Sequence, residues 1–183
     1  MTVTPRLRAL VVYESMFGNT AKVADAVARG LRLEDVDAGA VEVGAAPTRL
    51  PTGIDLLVVG APTHAFSLSR PSTREDAVRQ GAPSECAPLG LREWLESVRL
   101  DDAALPDLAA FDTRVTRVRW LPRSAAPTAA KLGRRRHLTI VSKPIGFLVE
   151  GLQGPLVDGE LERAVAWGRR IGATSVERSA VAG

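Results

Sequence analysis

Two rhythms of apolar residues alternate along this chain. Ala9, Leu10, Val11, Val12 and Tyr13 form a continuous run that reads as a strand buried on both faces, beginning at about residue 8. Over residues 20–31 the spacing lengthens to that of a helix, with Val23, Val27, Gly30 and Leu31 on its inner face. A weaker strand at 36–43 reads as a sheet edge, and 54–60 as a central strand. Ser72-Thr73-Arg74-Glu75 has the form of a capping box, opening a helix that Gly81 ends. Leu91, Trp94, Leu95 and Val98 mark another helical stripe. Strands are expected at 108–113 and 137–142, on either side of a helix at 124–136. A last helix starts near Asp158 or Gly159 and buries Leu161, Ala164, Val165, Gly168 and Ile171. The pattern predicts an α/β fold: a three-layer, doubly wound sandwich on a five-stranded parallel sheet of order 2-1-3-4-5. One domain is expected over 1–173, with 174–183 as a flexible tail.

That strand order predicts where a ligand sits. The switch point lies between strands 1 and 3, so the carboxyl-end loops 14–19, 61–71 and 113–123 are the candidate site, with the long segment 143–159 at the same end.

Composition narrows the functional classes. The chain has 183 residues, of which 45% are hydrophobic and 25% charged, enough for a substantial core. Its apolar run at 9–13 is too short for a signal-peptide core or a membrane span, so neither is expected. With Cys86 as the single cysteine, no internal disulfide or thiolate metal cluster forms, and a cytoplasmic setting is expected. The net charge of +3 is mildly basic. Arg134-Arg135-Arg136 closes a predicted helix, where cations complement the dipole, and no aromatic platform accompanies it; nucleic acid is therefore not an expected partner. His64 and His137 are the only histidines, which leaves no cluster for a metal.

The densest chemistry lies in Glu14-Ser15-Met16-Phe17-Gly18-Asn19-Thr20. Hydroxyls at Ser15 and Thr20 flank a glycine just where a strand hands over to a helix. The first-turn N–H groups of that helix have no intrahelical acceptor and its dipole favours an anion, so the loop suits a phosphate monoester. Neither a Walker loop nor G-x-G-x-x-G is present, and no G-x-S-x-G elbow supports a Ser15 hydrolase. Glu14 and Lys143 stand near the acidic and lysine positions of a response-regulator receiver, but the Gly-Asn-Thr loop fits phosphate better.

Val11, Val12, Tyr13, Ser15, Gly18, Thr20, Ala24 and Val27 fill every constrained place of a pattern that resembles the FMN-phosphate signature of the flavodoxin family. Gly60-Ala61-Pro62-Thr63-His64 is similar to that family's first flavin loop, and it resembles, with Ser-Arg-Pro-Ser-Thr at 69–73, stretches of actinobacterial-type flavodoxin-domain proteins. The resemblance implies a flavodoxin-like fold and FMN as cofactor. It implies contacts from Ser15, Met16, Phe17, Gly18, Asn19 and Thr20 to the phosphate, and from Pro62, Thr63, His64, Ala65 and Phe66 to the ring, with His64 or Phe66 stacked on it. Phe111, Asp112, Thr113 and Arg114 are expected in the second flavin loop, although the family's covering tyrosine is missing there. Arg114 is expected over the ring or beside it as a counter-charge, within a basic surround that includes Arg70, Arg74, Arg117 and Arg119.

The implied function is electron transfer through non-covalent FMN, to a redox partner protein or a small-molecule acceptor. Two alternatives stay open from sequence: a small FMN-dependent NAD(P)H:quinone-type reductase, and an interaction module that has lost FMN.

Overall fold

The computed structural model describes residues 6–64, 67–86, 88–118 and 124–182, with the side chains of 118 and 182 set aside. The elements follow the order β1 (Arg8–Tyr13), α1 (Asn19–Arg32), β2 (Asp37–Glu42), β3 (Leu56–Pro62), α2 (Pro71–Arg79), α3 (Leu91–Ser97), β4 (Asp107–Val115), α4 (Ala125–Arg135), β5 (Thr139–Ile140), β6 (Ile145–Val149) and α5 (Glu160–Ala182). All strand pairs of the sheet are parallel, in the order β2-β1-β3-β4-β5, and β6 also pairs with β4.

Alternate residues of the central strands serve two cores, because side chains on a strand point to opposite faces in turn. Val11, Val58, Ala109 and Phe111 face α1 and α5, while Val12, Leu57, Val59 and Ala110 face α3 and α4. On the first face Phe111, Phe147 and Trp167 meet edge to face with centroids 6.0–6.4 Å apart. Gly30 and Gly168 let α1 and α5 touch backbone to backbone: a Cβ on Gly30 would overlap the Val165 carbonyl oxygen.

Four expectations need correction. The fifth strand is broken: β5 pairs only with Asp107 and Leu108, whereas β6, read from sequence as part of a loop, pairs with Phe111 to Val115. Pro144, which lacks an N–H, stands in the interruption. His137 does not open a strand; it is exposed at φ 63°, just past the end of α4. The helix at 71 starts earlier than the expected Ser72 cap, since Pro71 suits the first helical position and the Thr73 hydroxyl accepts the Arg70 N–H at 2.9 Å. Residues 174–182 continue α5 rather than fraying, with Ser175 buried and Arg178 paired to Asp107 at 3.1 Å; Leu161 lies exposed on the same helix.

Candidate functional site

At the carboxyl ends of β1 and β3 the chain leaves the sheet in two loops that diverge, and a cleft opens between them. Gly18 caps α1 with φ 85°, a left-handed conformation that a side chain resists. A Cβ there would meet nothing within 4 Å, so the space in front of the cap is open. The Ser15 hydroxyl accepts the Ala21 N–H at 3.3 Å, supporting the loop from inside. Thr20 and Thr113 share a buried hydroxyl–hydroxyl bond of 2.8 Å, which ties α1 to β4. No acidic residue stands in the first turn of α1, so nothing there repels an anion.

The expected phosphate-loop residues divide by role. Phe17, Asn19 and Thr20 line the cleft, as does the mostly buried Met16, which also packs with Ala77 and Ala82. The Asn19 carboxamide lies against Gly154 of the loop after β6. Ser15 and Gly18 shape the turn without lining the cleft.

At the other end, Pro62, Thr63 and His64 line the cleft opposite Thr113 and Arg114. Ala65 and Phe66, and likewise Arg119, lie outside the described residues. Phe111 does not reach the cleft: it is buried against Phe147 and Trp167, because Ala109 and Phe111 of β4 face α1 and α5 while Leu108 and Ala110 face α3 and α4. Asp112, expected in a loop, is a fully buried strand residue whose carboxylate accepts the Ala126 N–H at 2.9 Å and the Arg114 Nε–H at 2.9 Å. The Thr63 hydroxyl likewise accepts the Ala125 N–H at 3.1 Å. Both groups therefore satisfy the first turn of α4; Asp112 does not line the cleft, whereas Thr63 does. Arg114 lies across Gly146, where a Cβ would collide with its guanidinium, and the Asp112 carboxylate offsets its charge.

Sequence reasoning missed Val115, Val149 and Leu152, which complete the cleft wall. The apolar run at 145–149 was the available signal, and it was hidden by the preceding proline.

Behind the cleft lies a buried ionic cluster. Glu14, at the end of β1, accepts the Leu91 N–H at 2.8 Å. Arg74 reaches Ser69 Oγ at 2.9 Å and the Glu93 carboxylate at 3.3 Å, and Glu93 in turn accepts the Gly90 N–H at 3.1 Å. Burial raises the Glu14 carboxyl above its ordinary value, against the opposing pull of Ser69, the Leu91 N–H and the Arg74 charge. Its folded value is thus above its unfolded one, and stability is lost as pH rises from the ordinary carboxyl value towards the folded one. Glu14→Gln, which keeps an acceptor for Leu91, should melt above the native protein at pH 7, with the gap closing near pH ~4. Thermal melts across that range check this; a less stable variant at pH 7 would show that the ionised carboxylate is required. The Cys86 thiol, held up by burial and then by nearby carboxylates, donates to the Ser15 carbonyl at 3.3 Å and is a poor nucleophile.

Fold and site together define a flavodoxin-like α/β protein, with its cleft at the β1/β3 switch point. Among solved structures, a flavodoxin from the domain Archaea shares 19% identity at a TM-score of 0.63, covering 92% of this chain and 99% of its own. Flavodoxin 1 from Bacillus cereus shares 15% identity at 0.60, covering 93% and 97%. The Flv1 flavodiiron core from Synechocystis sp. PCC6803 shares 15% identity at 0.64, covering 94% of this chain but 37% of that one. No protein-family model and no curated protein sequence matches the chain. Likeness at this level of identity establishes the fold.

Proposed function

We propose that this protein binds FMN non-covalently and works as an electron-transfer protein. Bound FMN would supply the one- and two-electron chemistry, and the chain would hold, orient and partly desolvate it. The observation that carries the reading is the cleft itself. An open space in front of a left-handed glycine cap, at a helix start free of acidic side chains, suits a phosphate. Beside that turn, the cleft runs from Phe17, Asn19 and Thr20 on to the flat, half-buried ring of His64. A flat ring in the cleft wall offers a stacking surface to a planar ligand.

In this reading the 15–20 turn and the α1 N–H groups hold the phosphate. His64 on one side and Thr113 and Arg114 on the other flank the ring. Arg114 acts as one half of a pair with Asp112, so it contributes less field than an isolated cation would. The flavodoxins among the structural neighbours support the same cofactor. Electrons would pass to a partner protein or a small acceptor across the exposed side of the cleft.

Comparing FMN with riboflavin tests the phosphate half of the site. FMN should bind at least tenfold tighter, since even one charge-assisted hydrogen bond is worth about 1.5–3 kcal/mol. Fluorescence titration of both ligands measures it. Equal affinities would mean that the phosphate loop is idle, and a chain that ignores both would point to an interaction module.

A further inference from the structure

Resting on the FMN reading, we propose that His64 is the proton-accepting partner of the cofactor: reduction places negative charge on the ring, and the imidazole takes up a proton that pairs with it.

The geometry is specific. His64 follows the last residues of β3 and is pinned through its backbone, donating its N–H to the Ser67 carbonyl at 2.8 Å and accepting the Ser67 N–H at 2.9 Å. These two bonds hold the His64 backbone beside Ser67, and its side chain lines the cleft. The half-buried ring stands in the wall that a ligand would face, and its enclosed Nε2 has no hydrogen-bond partner among the described residues.

The charges around it decide the protonation state. Burial, and then the Arg74 guanidinium of α2, hold the imidazole below its ordinary value. Across the cleft stands a second cation, Arg114 of β4, and no Asp or Glu lines the cleft among the described residues. An imidazolium here loses hydration and meets two cations whose charge Glu93 and Asp112 only partly offset, with no anion in the cleft wall among the described residues. It becomes favourable only when the cleft's occupant turns negative, and an opposite charge at contact distance moves a titrating group by about 1–3 units.

The balance is as follows. With His64 neutral, two electrons and one proton convert the oxidised ring to its reduced anion. With His64 participating, the same two electrons bring two protons, one on the ring and one on the imidazole. Both electrons come from the reductant, which is dithionite in the test below.

Only two histidines are present, and His137 is exposed, so it serves as an internal reference for imidazole NMR. The titration is recorded from pH 5 to 8 on the apo-protein, on the FMN complex and on that complex reduced by dithionite. His64 should titrate below the ordinary imidazole value in the first two states and rise by at least one unit on reduction. Proton uptake per two electrons should fall from two towards one as pH rises through that window, and His64→Asn should stay near one throughout. An unchanged His64 resonance on reduction overturns the proposal, as does uptake retained in His64→Asn. If that variant fails to fold or to bind, the native-protein titration alone decides. Failure of the native chain to bind FMN removes the cofactor reading and this proposal together, an outcome seen before any reduction step.

Discussion

Gly18→Val should cost at least a tenfold loss of FMN affinity and lower the melting temperature of the apo-protein as well. Two separable effects act at this residue. Gly18 sits at φ 85°, where a β-branched residue pays about 1–2 kcal/mol in backbone strain. Its missing Cβ also faces open space, which is where the proposed phosphate lies. Gly18→Asn separates the two, because asparagine tolerates the left-handed region better than other side chains. That variant should recover most of the melting temperature while still binding FMN weakly. If it binds like the native protein, the open space is not the phosphate site, whatever the fold resembles.

Gly30→Val is expected to be the most destabilising single substitution considered, by about 3 kcal/mol or more. A Cβ on Gly30 overlaps the Val165 carbonyl oxygen and lies 2.9 Å from the Arg169 nitrogen and 3.0 Å from the Gly168 Cα. These are backbone atoms of a long helix, so relief requires α5 to move away from α1 as a body. The same movement would separate Trp167 and Ala164 from the core they share with Val27 and Leu31. For a domain of this size each kcal/mol shifts the melting temperature by about 2–4 °C, so the loss should be near ~10 °C. Gly172→Ala is the milder comparison: its Cβ would meet the Glu34 Cβ at 3.2 Å and no backbone atom as close as those at Gly30, so its melt should fall much less. A native-like melt for Gly30→Val would contradict the close α1–α5 crossing.

Much of this architecture was legible in the chain as a string. The run at 9–13 is β1 almost to the residue, and Val23, Val27, Gly30 and Leu31 are all buried on α1. Burial on both faces makes such strands uniformly apolar, and helix packing writes a 3.6-residue period; both are local signals. The helix start after Gly18 was legible for the same reason, since a left-handed cap requires a particular residue at a particular place. Short elements were harder. β5 has two residues and β6 follows a proline, so neither carries enough periodicity to stand out from a loop. Helix α5 was read too short because its last turns are mostly polar, and what holds them is the distant Asp107.

Side-chain roles at the site divide along the same line. The turn that carries Ser15, Gly18 and Thr20 was legible from sequence, because strand, loop and helix follow one another there without interruption. Asp112 and Thr63 were read as ligand contacts, yet the structure gives their oxygens to the first turn of α4, some 14 and 62 residues away. Phe111 faces the core because β4 runs on to Val115, which sets the alternation of its faces. Sequence alone therefore determined the layers, the strand order and the glycine-capped turn between β1 and α1, all of which rest on periodicity and local backbone geometry. Only the tertiary structure decided that Asp112 and Thr63 cap α4 and that the half-buried His64 lies near Arg74, with no partner for Nε2 among the described residues; such contacts join segments distant in the chain, and no local pattern records them.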